Sequence, residues 1–158
     1  MKDMRKLGRY YLKPEEQSYY KIHPYLMNDG RHVGKVGETW VSWSIDGKTQ
    51  PENFPFDVLT NESEFYQKGQ RLEVRSAITN VSFAASKEVG SSRTVTEEGF
   101  ITKLDSLDYF VILDSRQWVN GYVDMYELSK EDVLKLGLGK RKQMAVNKFW
   151  KKAEDGIK

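Results

Sequence analysis

Between Val33 and Ile45 the apolar residues Val33, Val36, Trp40, Val41 and Ile45 recur with the period of one helical face, and Asp46-Gly47 closes the segment. The pattern predicts an amphipathic helix, with a strand as the alternative because Trp40, Val41 and Trp43 also favour strands. After the turn-rich stretch KTQPENFP the period shortens. Phe56 to Thr60 is a short apolar run carrying one acid, Asp57, and reads as a strand. Arg71 to Ile78 alternates, with Leu72, Val74 and Ser76 on one face and Glu73, Arg75 and Ala77 on the other. Val81 to Ala85 is a third candidate strand. Tyr109 to Leu113 is the most hydrophobic run in the chain and predicts a central strand buried on both faces. Gly121 to Leu128 alternates again through Tyr122, Asp124, Tyr126 and Leu128.

Ser129, with Asp132 three residues on, resembles a capping box and starts a helix expected to end near Gly137 or Gly139. A second helix is expected over Lys140 to Ala153, with Met144, Val146, Phe149 and Trp150 as its apolar positions. The stretch up to about Gly30, rich in tyrosine and interrupted by Pro14 and Pro24, predicts no definite element. The segment KEVGSSRTVTEEG reads as a loop. The order is therefore one helix, four or five strands and two helices, an α/β or α+β layer arrangement in which helices cover a sheet. At 158 residues, 1–158 is expected to form a single domain, with 1–30 as an N-terminal extension and 140–158 as a basic C-terminal helix.

Composition narrows the chemistry. Cysteine is absent, which excludes disulfides, thiolate nucleophiles and Cys-containing zinc sites. The only histidines, His23 and His32, are too far apart for a helical two-His motif and read as loop or surface residues. A metal site would therefore be built from carboxylates and suit Mg²⁺ or Mn²⁺. Net charge is only +2, yet Lys135 to Lys152 carries seven bases and no acid. This stretch is a candidate phosphate-contacting surface, with Lys140, Arg141, Lys142, Lys148, Lys151 and Lys152 as its residues. No apolar run has membrane-spanning length, and the basic opening MKDMRKLGRYYL is followed by no apolar stretch of signal-peptide length. The expectation is a cytoplasmic protein without a membrane partner.

Asp57 at the start of one strand and Glu73 on the next bring two carboxylates within reach of one hard cation, and Arg75 shares the face of Glu73. Pro55-Phe56-Asp57, fifteen intervening residues, then Glu73-Val74-Arg75 resembles the signature of the PD-(D/E)XK nucleases. Glu38, within Gly34-Lys35-Val36-Gly37-Glu38, resembles the glutamate that this family places on a helix ahead of the motif. Asp108 to Asp114 and Gly121 to Leu128 resemble the strands that follow it. The likeness covers roughly residues 33 to 136. It implies an α/β, restriction endonuclease-like fold, a mixed central sheet flanked by helices. Asp57, Glu73 and Arg75 would then be catalytic, with Glu38, Asp57 and Glu73 as ligands for Mg²⁺ or Mn²⁺.

The implied activity is endonucleolytic hydrolysis of phosphodiester bonds in nucleic acid, DNA foremost, often by a homodimer. The family's lysine is replaced here by Arg75, which stays protonated and cannot act as a general base, though it can stabilise charge on a phosphate oxygen. This substitution motivates the alternative of a catalytically degenerate nuclease-fold module that binds nucleic acid or a protein. A β-rich interaction domain using the early tyrosines is a third reading.

Overall fold

The structure, a computed structural model, describes residues 4–83, 97–136 and 144–156. Its first strand, β1 (Arg5–Tyr11), and first helix, α1 (Pro14–Ile22), occupy the stretch for which the sequence predicts no definite element. Their burial explains why that stretch is not a free extension. Leu7, Tyr10 and Leu12 of the β1 segment and Tyr20 of α1 point into the core. After a 3₁₀ turn at Pro24–Asn28 comes α2 (Gly30–Ile45), capped by Asp29, whose side chain accepts the Arg31 N–H. The helical reading of the Val33–Ile45 pattern thus prevails over the strand alternative. Val33, Trp40, Val41 and Ile45 are fully or almost fully buried.

Two short strands follow, β2 (Gly47–Thr49) and β3 (Val58–Thr60), then β4 (Arg71–Ser76) and the two-residue β5 (Asn80–Val81). The strand expected over Val81 to Ala85 is thus confined, among described residues, to its first position, with its remainder partly beyond them. Next is α3 (Glu97–Asp105), in a segment whose beginning the sequence assigns to a loop. The chain continues through β6 (Tyr109–Asp114), a 3₁₀ turn at Trp118–Asn120, β7 (Tyr122–Leu128) and α4 (Lys130–Lys135). The Ser129 hydroxyl accepts the Asp132 N–H as the capping pattern predicts, although the helix stops at Lys135, before the two glycines. It ends with β8 (Met144–Ala145) and α5 (Val146–Asp155). Met144 and Ala145 are therefore strand, not helix as expected, because they pair with β5.

Among the described residues six strands form one sheet in the order β1-β7-β6-β4-β3-β2, and β5 pairs with β8 in a second, small sheet. The large sheet is mixed: β4 and β6 run parallel and the other neighbours are antiparallel. A parallel pair needs a crossover connection, and α3 lies on the one between β4 and β6. β6 is central and almost wholly buried, as its composition predicts. Its alternate residues divide the core. Phe110 and Ile112 pack with α3, α4 and α5, while Val111 and Leu113 pack with α1 and α2. The chain is thus a mixed α/β sheet with helices on both faces, and no helix among the described residues is long and apolar enough to cross a membrane.

Two contacts seat α2 against β6 and against β4, the strand that carries Glu73. A Cβ on Gly37 would lie 2.0 Å from Leu113 Cδ1, so a side chain there would have to displace the buried Leu113 of β6. At its other end the Ser76 hydroxyl donates to the Gly30 carbonyl at 2.9 Å, tying the first turn of α2 to the end of β4.

Candidate functional site

β3 is only three residues long and its ladder to β4 begins at Val58 opposite Leu72. Beyond that point β4 would present unpaired edge groups, and Asp57 meets them in two ways. Its N–H donates to Leu72 O at 2.9 Å, and its Oδ2 accepts the Val74 N–H at 2.8 Å. The side chain thus continues a ladder that the backbone leaves, which fixes the carboxyl beside the middle of β4.

Glu73 projects from β4 to the face covered by α3 and is 3% exposed. Its Oε2 accepts from Arg75 Nη2 at 2.9 Å, as their shared strand face predicts, and from Lys103 Nζ of α3. Lys103 also donates to the Pro55 carbonyl at 2.9 Å, and the Ser106 hydroxyl donates to the same oxygen at 3.2 Å. One lysine therefore links Glu73 to the segment that ends in Asp57. The side chains of Lys103 and Arg75 are only 10% and 16% exposed, so these ion pairs are shielded from water.

The two acids are coupled. Burial, then a hydrogen bond to Glu73 and the charges of Glu73 and Glu38, push the Asp57 carboxyl up to about 8, against the Val74 N–H that favours its charged form. Burial also acts to raise Glu73, but Arg75, the hydrogen bond from Asp57 and Lys103 outweigh it and hold Glu73 below the usual glutamate range. The opposite shifts favour a proton on Asp57 and the negative charge on Glu73. Glu38 is raised too, by burial first, with Lys35 opposing and the charges of Glu73 and Glu52 reinforcing.

These residues share one open cavity of about 620 Å³. Arg31, Lys35 and Glu38 line it from α2, and Asp57, Glu73 and Arg75 from the strands. The predicted constellation is therefore brought together, with one difference: among the described residues no three carboxylate or imidazole side chains are grouped closely enough to hold a single ion. Asp57 and Glu73 are neighbours that shift each other's proton affinity, and Glu38 faces the same space without closing a triad. An all-oxygen donor set would suit a hard cation such as Mg²⁺ or Mn²⁺ better than a soft one.

Lys103 is the site residue that sequence reasoning misses. Its signal was present, because Phe100, Leu104 and Leu107 are spaced by four and three residues and all are buried. His32 bonds through Nε2 to the Tyr20 hydroxyl at 2.8 Å and does not line the cavity. Lys148, Lys151 and Lys152 are exposed on α5, while Lys140, Arg141 and Lys142 lie outside the described residues. Compared with known proteins, the chain matches no family model, no curated protein and no solved structure, so function must be read from the site itself.

Proposed function

We propose that this domain is a divalent-cation-dependent endonuclease of the PD-(D/E)XK type, with a restriction endonuclease-like fold, acting on phosphodiester bonds in nucleic acid, DNA foremost. The observation that carries the reading is the buried Glu73 bonded at once to Arg75 and Lys103 and coupled to Asp57 on the wall of an open cavity. Asp57 and Glu73 would hold Mg²⁺ or Mn²⁺, with Glu38 facing the same cavity as the auxiliary acid. When bound, the cation supplies charge neutralisation at the phosphate and lowers the pKa of water.

The chain's own residues do the remainder. Arg75, on the cavity wall, brings a fixed positive charge beside the reacting phosphate, whose non-bridging oxygens gain negative charge as water oxygen bonds to phosphorus and the bond to the leaving oxygen breaks, while Lys103 stands behind it against Glu73 and offsets that carboxylate. A fixed charge of this kind, placed in advance in a partly water-excluded site, stabilises the transition state more than it would in bulk water. Neither acts as the base: arginine stays protonated, and Lys103 is held as a donor by Glu73 and Pro55 O.

Cleavage of supercoiled plasmid and end-labelled DNA and RNA in Mg²⁺ or Mn²⁺ tests this. Wild-type protein should cut, and Asp57→Asn should cut at least about 100-fold more slowly, the share expected for a lost metal-centred stabilisation of several kcal/mol. Lys103→Met should lower the rate in the same direction. A second reading, a degenerate module that binds nucleic acid or a protein without cutting, is favoured by one observation: Glu73 is already neutralised by two cations. Binding of DNA with no cleavage in either metal would select it. Absence of both metal binding and cleavage, with Arg75→Lys equally silent, would remove the nuclease reading.

A further inference from the structure

The cavity that holds the carboxylate pair has a second wall, and its chemistry differs. Five residues of α2 line it: Gly30, Arg31, Gly34, Lys35 and Glu38. Arg31 and Lys35, one helical turn apart, are both exposed, so two cations stand in a row that leads to Glu38. Lys35 is held only at 3.6 Å by Glu52, itself exposed, and Arg31 is in no ion pair with a carboxylate among the described residues. Between them, Gly34 has no packing reason to be glycine. A Cβ there would meet nothing within 4 Å, whereas one on Gly37 would collide with Leu113. A helix-interior glycine destabilises relative to alanine, so Gly34 costs stability and leaves an open strip of helix surface between two cations.

We propose that this face of α2 is a backbone-binding track, on which Arg31 and Lys35 contact successive phosphates of a nucleic-acid strand and Gly34 lets the strand lie close to the helix. The proposal rests on the nuclease-fold reading above and extends it to residues outside the carboxylate cluster. The opposite side of the cavity suits the same ligand. It offers Asn80, a neutral amide that can hydrogen-bond to sugar or phosphate, while Asp29 at the start of α2 is engaged by the Arg31 N–H. Glu52 acts as a competitor for Lys35 that an incoming phosphate displaces.

Fluorescence anisotropy of a labelled DNA duplex, titrated with the full chain in EDTA over a range of salt, tests it. Arg31→Gln and Lys35→Gln should each weaken binding for every sequence tried and reduce the slope of log affinity against log salt by about 0.9. Gly34→Gln should raise the melting temperature yet weaken binding, a combination that a purely structural glycine would not give. Glu52→Gln should tighten binding, which a misfolded variant cannot imitate. If wild-type protein binds and cuts DNA while all four substitutions leave affinity and slope unchanged, the α2 track is wrong and the carboxylate site stands. If wild-type protein neither binds nor cuts nucleic acid, the functional reading itself fails and the track with it.

Discussion

Among the described residues two pairs of neighbouring acids on adjoining strands invite comparison, and only one of them is balanced. Asp114 on β6 and Asp124 on β7 face each other across the sheet, and each has its own arginine. Arg116 forks Asp114 at 2.9 and 2.8 Å, and Arg9 forks Asp124 at 2.8 and 3.3 Å, with Lys6 adding a contact at 3.5 Å. The guanidinium groups lie over aromatic rings, Arg9 over Tyr122 at 3.7 Å and Arg116 over Trp150 at 4.6 Å. In the pair formed by Asp57 and Glu73, both cations go to Glu73, and burial beside that carboxylate pushes Asp57 up to about 8. Similar residues on adjoining strands thus make a closed structural network in one place and, in the other, a cluster in which both cations serve a single acid.

The largest expected effect sharpens that contrast through stability. Glu73→Gln leaves Arg75 and Lys103 buried without their anion and should cost about 3–5 kcal/mol in urea denaturation. Asp124→Asn should cost only about 1 kcal/mol, because Arg9 and Lys6 are partly exposed and can turn to water. Adding Lys103→Met to Glu73→Gln should recover part of the loss, since one stranded charge is then gone. Equal costs at Glu73 and Asp124 would erase the distinction between the two networks.

The next effect is a pH dependence. Asp57 is raised above the ordinary aspartate value, so the folded chain holds a proton there that the unfolded chain has released. Between the ordinary aspartate range and about pH 8, stability from this group therefore falls as pH rises. Asp57→Asn can keep an oxygen for the Val74 N–H and has no charge to bury. It should flatten that slope and exceed wild type at pH 8 by more than about 1 kcal/mol, with the gap narrowing toward acid. A divalent cation should reverse the penalty in wild type. Its binding displaces the shared proton, so calorimetry should show proton release and tighter binding with rising pH, both absent in Asp57→Asn.

Much of this fold was legible because periodicity reports burial. The α2 stripe and the run Tyr109 to Leu113 are dictated by core contacts and were readable directly. β1 was not, because an edge strand with Arg5, Lys6 and Arg9 carries the charges that protect such edges and so lacks a strong apolar signal. For the site, Asp57, Glu73 and Arg75 were legible from local spacing, since strand alternation and a short connection govern where they meet. Lys103 was not linked to them, because its contact depends on how α3 crosses from β4 to β6, a long-range matter of topology. The same reasoning separates Glu38 from the acid pair: helix periodicity places it on the cavity wall but does not determine its distance from β4.

The smallest effect concerns α5, whose lysines the sequence and the structure alike place on the surface. Phe149, Trp150 and Ala153 bury one face, so Lys148, Lys151 and Lys152 are left on the other. Replacing exposed lysines by glutamine should shift stability by no more than about 0.5 kcal/mol each, apart from Lys152, whose charge in the last turn complements the helix dipole and adds up to about 1 kcal/mol. Any larger consequence must come from binding. α5 follows β8, β8 pairs with β5, and Asn80 of β5 lines the cavity, so Lys148 in the first turn stands nearer to that wall along the chain than the later two. If a DNA strand crossing the cavity continues past β5, Lys148→Gln should reduce the salt slope of binding by about 0.9, and Lys151→Gln with Lys152→Gln should reduce it less. A graded series would extend the phosphate surface from α2 to α5. A slope untouched by all three substitutions would confine nucleic-acid contact to the cavity and leave these lysines as a solvated helix face.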